Sequence, residues 1–213
     1  MARPREFDEA TVLDAAMRCF WTRGYENTSV RDLAERMGIT GASLYNAFGD
    51  KRALYRRSLE RYLDQSVRDR VARLETSLAP LEAICAFFGE IVERSIDDPE
   101  CSGCMLVNAA LDVAPHDPEF RAVIAQELAM IEAFFCRCIA AGQANGTLAT
   151  AQTAQALAKL LLSVLLGIRV LARARPERDV LEGAAQAALA AVMRGAPELS
   201  GPNGKRRSTP TRR

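Results

Sequence analysis

Apolar residues recur at the three-and-four spacing of an α-helix along most of this chain, and the alternation expected of strands is absent. Val12, Ala15, Ala16, Cys19 and Phe20 form the first such stripe. Asp8 stands before it as an N-cap, Phe7 and Val12 are placed for a hydrophobic staple, and Gly24 supplies a stop. A second helix opens at Thr28 or Ser29, where Ser29 and Asp32 resemble a capping box. It buries Val30, Leu33, Ala34 and Met37 and ends at Gly38, after which Ile39 plugs the core. The third helix runs from about Thr40 to Phe48 and offers the core only Leu44, Ala47 and Phe48 before Gly49 closes it. Asp50 then caps a long fourth helix, to about residue 76, whose apolar positions are Leu54, Leu59, Leu63, Val67, Val71 and Leu74.

Composition changes near Pro80. Helices are predicted at about 80–97, 103–114, 118–144, 151–175 and 177–194, separated by Asp97-Asp98-Pro99, Pro115 to Pro118, Gly142 to Gly146, and Pro176. Leu157, Leu160, Leu161, Val164, Leu165 and Ile168 share a face of the next-to-last helix, and Ala184, Ala187, Ala188, Ala191 and Val192 share one of the last. Such faces can serve an internal core or pair with their copies in a second chain. The tail from Pro197, rich in Lys and Arg, is too polar to pack and is expected to be disordered.

The expected fold class is therefore all-α, and 213 residues that are 49% apolar suffice for a sizeable core. The division expected is a small N-terminal domain over residues 1–50, a second domain over 51–195 with the fourth helix as the link, and a basic tail over 196–213. Charge adds little, because the formal net charge is +1 and residues 1–70 hold 13 Lys+Arg against 11 Asp+Glu. Any nucleic-acid surface must then be local. The most apolar stretch, Leu160 to Leu171, is broken by Ser163, Gly167 and Arg169 and falls short of the roughly 18 unbroken residues of a membrane span. With no signal-like segment at the N-terminus, a cytoplasmic protein without a membrane partner is expected, and its six cysteines are expected to be reduced.

The chemistry sits in the third helix. A helix that enters the major groove needs short polar groups at its N-terminal end and only a narrow buried stripe. Thr40, Gly41, Ala42, Ser43, Tyr45 and Asn46 all lie off the Leu44–Phe48 stripe. Gly41 and Ala42 permit close backbone approach. Thr40 and Ser43 can bond bases or phosphates, Asn46 can pair with adenine, and Tyr45 can reach a phosphate. Lys51 stands in the first turn of the fourth helix, where the helix end favours a phosphate. Three merely packed helices would show much the same spacing.

The specific residues decide between these readings. Phe20, Gly24-Tyr25, Thr28-Ser29-Val30-Arg31-Asp32-Leu33-Ala34, Gly38-Ile39, Ser43-Leu44-Tyr45, Phe48 and Asp50-Lys51 together resemble the N-terminal domain of the TetR/AcrR family of bacterial transcription regulators, over roughly residues 7–60. Asn46-Ala47 departs from the His-His or Trp-His pair often found there, so the operator cannot be read. The resemblance implies an all-helical homodimer of about nine helices per chain. Its N-terminal helix-turn-helix would bind half of a palindromic double-stranded operator. Its C-terminal domain would bind a small-molecule inducer and dimerise through the last two helices. The DNA-contacting positions it implies are Thr28, Ser29, Arg31, Thr40, Gly41, Ala42, Ser43, Tyr45, Asn46 and Lys51. Arg3 and Arg5 would either reach a phosphate or the minor groove, or form a solvated basic tail.

Cysteine chemistry offers the alternative, a redox enzyme or sensor built on Cys101 and Cys104. Gly103-Cys104-Met105-Leu106-Val107 resembles a segment of a family subset that includes electrophile sensors. Cys104 is then either a sensor thiol activated at a helix start or a small packing residue. Cys136 and Cys138 lie two apart on one helix and face different ways, so no metal site is expected. No cofactor is expected either. Phe87, Phe88, Met105, Asn108 and Phe134 are candidates for the ligand pocket, with Phe120, Met130 and Phe135 behind them. With one histidine and no G-x-S-x-G, H-E-x-x-H or G-x-G-x-x-G, an enzyme is not expected.

Overall fold

The structure, a computed structural model of the chain, describes residues 8–148 and 150–194. Phe7, Arg3, Arg5 and the tail over 196–213 lie outside the described residues. Among the described residues there are helices and no strands: α1 (Glu9–Arg23), α2 (Val30–Met37), α3 (Gly41–Phe48), α4 (Lys51–Leu63), a π-helical turn (Asp64–Arg68), α5 (Asp69–Ser77), α6 (Pro80–Ile96), α7 (Met105–Asp112), α8 (Pro118–Ala144), α9 (Ala154–Ala174) and α10 (Arg178–Arg194). α4, the π turn and α5 form one rod, which brings the described helical rods to nine.

Local chemistry places the helix ends. Asp8, Thr40, Asp50, Asp117 and Thr153 each cap a helix with a side-chain oxygen, and Ser29 with Asp32 forms a full capping box. Gly38 ends α2 in the left-handed region at φ 65°, a conformation that carries little cost only for glycine.

The fourth rod departs from expectation. Its apolar side chains fall where predicted, but five of its residues form a π turn. Leu59, Leu63, Val67 and Val71 are four apart throughout, and each such step overshoots an α-helical turn by about 40°. A wider turn cancels that drift and keeps the stripe on the core. The last helix also differs. Its buried residues are Leu181, Ala185, Ala188 and Val192, while Ala187 is exposed and Ala184 and Ala191 are half-buried. On α9, Leu157, Leu161, Leu165 and Ile168 are buried, but Leu160 lies at the surface.

α9 packs between α8 and α10. By length and composition α9 could cross a membrane, but its buried face, including Arg169, belongs to the bundle core. A second core centre is the ring cluster of Phe87, Phe88, Phe134 and Phe135, with centroids 5.3–6.3 Å apart.

The N-terminal helices are fastened to the rest by rings and ion pairs. Tyr55 of α4 touches Phe20, Tyr25 and, across to α8, Phe120 at 5.3 Å. Arg52 pairs with Asp117 at 2.8 Å and with Glu119, while Arg61 pairs with Asp14. The Arg61 bond holds the Asp14 carboxyl below its usual range, and Arg52 does the same for Asp117 and Arg137 for Glu75. Because the folded values lie below the unfolded ones, these contacts contribute above about pH 4 and are lost as pH falls through the depressed folded values. The melting temperature is therefore expected to stay flat from neutral pH to about pH 5 and to drop below about pH 4. A pH series of thermal melts checks this.

Candidate nucleic-acid interface and ligand cavity

α2 and α3 meet through Ile39 and the buried stripes of Leu33, Met37, Leu44 and Phe48, which leaves the outer face of α3 free. Tyr45 is 53% exposed, an unusual cost for so large a ring, and Ala42 and Asn46 are exposed beside it. Thr40 accepts a hydrogen bond from the Ser43 amide at 3.1 Å, and the two hydroxyls lie 2.9 Å apart. Thr40 thus caps the helix, and both hydroxyls lie at its N-terminus. Ser29 and Arg31 are exposed at the start of α2. The Lys51 ammonium sits 4.3 Å over the Tyr25 ring, at the first turn of α4, and is half-buried there.

The structure thus gathers Ser29, Arg31, Thr40, Gly41, Ala42, Ser43, Tyr45, Asn46 and Lys51 around one helix-turn-helix. Thr28 does not belong with them. It is fully buried, and its hydroxyl donates to the Gly24 carbonyl at 2.7 Å, so its side chain ties the α1–α2 turn instead of facing outward.

The pocket candidates fare differently. A cavity of about 30 Å³, room for about two waters, lies between α4, the π turn, α5, α6, α8, α9 and the start of α7. Phe87 lines it. Phe88, Met105, Asn108 and Phe134 do not: the two rings belong to the Phe cluster, Met105 is packed in the core, and Asn108 donates to the Ser102 carbonyl at 3.1 Å. The polar residues that do line it, Tyr62, Ser66, Arg70, Arg94 and Arg169, were absent from the expected set. One signal for them existed: Arg169 interrupts the most apolar stretch of the chain, and a charge is seldom placed there without a task.

Cys104 is the N-cap residue of α7, buried at the cavity wall, with the Tyr62 hydroxyl donating to its sulfur at 3.4 Å. Burial pushes this thiol up, but the Arg169 charge, the Tyr62 bond and the amides of Val107 and Leu106 outweigh it and hold it below its ordinary value. Cys19, Cys85 and Cys138 go the other way, raised by burial. All six cysteines are free, and among the described residues no three His, Cys, Asp or Glu side chains come together as metal ligands.

The loop before α7 joins the two ends of the molecule. Gly103 holds φ 69°, and a Cβ there would lie 2.6 Å from Arg173 Cγ. Its carbonyl accepts from Trp21 Nε1 of α1 at 3.2 Å and also from Arg169 of α9.

A helix-turn-helix with an under-packed, polar second helix, carried on a larger helical domain with its own cavity, defines a DNA-binding transcription regulator. Residues 12–57 match the family described as bacterial regulatory proteins, tetR family, and residues 77–188 match a tetracyclin repressor-like C-terminal domain. The chain is 32% identical to the HTH-type transcriptional regulator YezE of Bacillus subtilis over 85% of its own length and 94% of that protein. It is 30% identical to the transcriptional repressor ComR of Escherichia coli, covering 80% and 82%. Among solved structures it resembles a cysteine-substituted variant of the TetR family regulator CifR bound to 26-bp double-strand operator DNA, with 36% identity, a TM-score of 0.80, and 90% and 100% coverage. The chain belongs to the TetR family of regulators.

Proposed function

We propose that this chain is a cytoplasmic repressor that binds a palindromic operator as a homodimer and lets go when a small molecule enters its C-terminal domain, or when a thiol there is modified. The observation that carries the reading is the exposed face of α3, where Tyr45, Ala42 and Asn46 stand free at the end of a capped helix. The division of labour follows: residues 1–50 read DNA, the rod over 51–77 transmits, and residues to 195 hold the inducer and the dimer face.

Asn46 is assigned to base reading, and Tyr45, Thr40, Ser43 and Lys51 to phosphates or base edges. Asn46→Ala is expected to relax preference at one operator position by about 1–3 kcal/mol while binding elsewhere is kept. Sites selected from random duplexes by the two proteins make the comparison, and identical preferences would remove the assignment.

The dimer face is assigned to the outer sides of α9 and α10. Leu160, Ser163, Gly167 and Val170 share one exposed face of α9, and Met193 of α10 is 46% exposed. Small residues among apolar ones allow two helices to approach closely. Val170→Glu is expected to convert the dimer into a monomer in light scattering and to weaken binding to a full palindrome far more than to a half-site. A variant that remains dimeric would place the interface elsewhere.

No catalytic role is proposed.

A further inference from the structure

The cavity is walled mostly by apolar surface, and the polar residues that line it are Arg70, Arg94, Arg169, Tyr62, Ser66 and Cys104; no Asp or Glu is among the lining residues. The remaining walls are apolar, with Phe87, Ile91, Ile131 and Leu165 among them. Arg70 is neutralised by Glu90 at 3.0 Å, and Arg94 sits 5.4 Å from the Trp21 ring centroid.

Arg169 is the anomaly. It is 4% exposed and has no carboxylate partner among the described residues, and its donors go to the Ser95 hydroxyl at 2.7 Å and the Gly103 carbonyl. Its Nε is buried with no partner at all. A guanidinium withdrawn from water costs several kcal/mol unless an anion accompanies it. The nearest group of suitable chemistry is the Cys104 thiol, which the same charge holds below its ordinary value. A thiol is a poor partner for a guanidinium fork, which matches a bidentate oxyanion best.

We propose that this cavity is the binding site for a small organic carboxylate, whose oxygens pair with Arg169. The apolar body of the ligand lies against Phe87, Ile91, Ile131 and Leu165, which must part to admit it. The consequence for DNA rests on the ligand-released reading above. Arg169 and Trp21 share the Gly103 carbonyl, so turning Arg169 toward a ligand alters the tie between α9 and the DNA-binding end of α1.

Trp21 is the sole tryptophan, 5.0 Å from the Tyr62 ring, and reports on the site directly. The experiment follows its fluorescence while the purified full-length protein is titrated, at constant ionic strength, with propionate, butyrate and benzoate and with the matching amides. Carboxylates are expected to give a saturable change and amides none. Arg169→Met is expected to weaken the response at least tenfold, and Arg169→Lys to keep the preference for carboxylate over amide. A thermal melt verifies that Arg169→Met is folded at the temperature of the titration. Equal binding of amides, an undiminished response in a folded Arg169→Met, or no saturable response to any of the carboxylates would overturn the proposal. Operator binding without any added probe is measured alongside, so failure of the carboxylate site and failure of the regulator reading are separate results.

Discussion

Replacing Ala42 by glutamate is expected to lower operator affinity at least ~100-fold, equivalent to ~2.7 kcal/mol, while the melting temperature holds or rises slightly. The two effects part because they live on different links. Ala42 is the second residue of α3, exposed and without a packing duty. A carboxylate in the first turn favours the helix by about 0.3–1 kcal/mol through the exposed amides and the dipole. The same carboxylate faces the phosphates if α3 enters a groove, and there it is repelled by both strands. Few substitutions separate stability from function so cleanly. A loss of binding accompanied by unfolding would say nothing about the interface, whereas a loss with an unchanged melt locates it. Filter binding and circular dichroism on one protein preparation supply both numbers.

Phe135→Ala is expected to be the costliest core change. The Phe135 ring is fully buried and lies 5.3 Å from Phe87, 5.8 Å from Phe88 and 5.4 Å from Phe134, so its removal opens a hole bordered by rigid rings. Truncations of this kind cost about 3–5 kcal/mol. For a chain of this size, that corresponds to a fall in melting temperature of roughly 6–20 °C. The change is far from α2 and α3, so operator affinity at low temperature is expected to survive. A melt within about 2 °C of wild type would mean that the cluster contributes little beyond its area.

The helices were legible because nearly every one carries its own punctuation. Asp8, Ser29, Thr40, Asp50, Asp117 and Thr153 cap where side-chain chemistry says they should, and Gly24, Gly38 and Gly49 follow α1, α2 and α3. The π turn was missed because a count of apolar positions does not ask how far each step rotates. The inner face of α10 was not singled out, because an Ala-rich helix offers several stripes of similar polarity, and only Leu181 and Val192 mark the buried one.

The interface was legible in kind: polar positions off the Leu44–Phe48 stripe could be picked out in the sequence. Thr28 could not be told from its neighbours, because burial of a threonine against the Gly24 carbonyl depends on how the turn folds. The cavity was the least legible part. Of the aromatic candidates Phe87 lines the cavity while Phe88 and Phe134 pack in the core, and the lining draws on arginines from three helices that sequence separation keeps apart. A long basic side chain reads as surface until the fold shows it buried.

The central claim is that the outer face of α2 and α3 reads a specific DNA sequence. Selection of bound duplexes from a random pool tests it most directly, with wild type and Ala42→Glu run side by side. Wild type is predicted to enrich a palindrome whose half-sites lie about one helical turn apart, or a multiple of it, and Ala42→Glu to enrich nothing. A folded wild-type protein that leaves the pool unchanged, or the same enriched sequence from both proteins, would contradict the account.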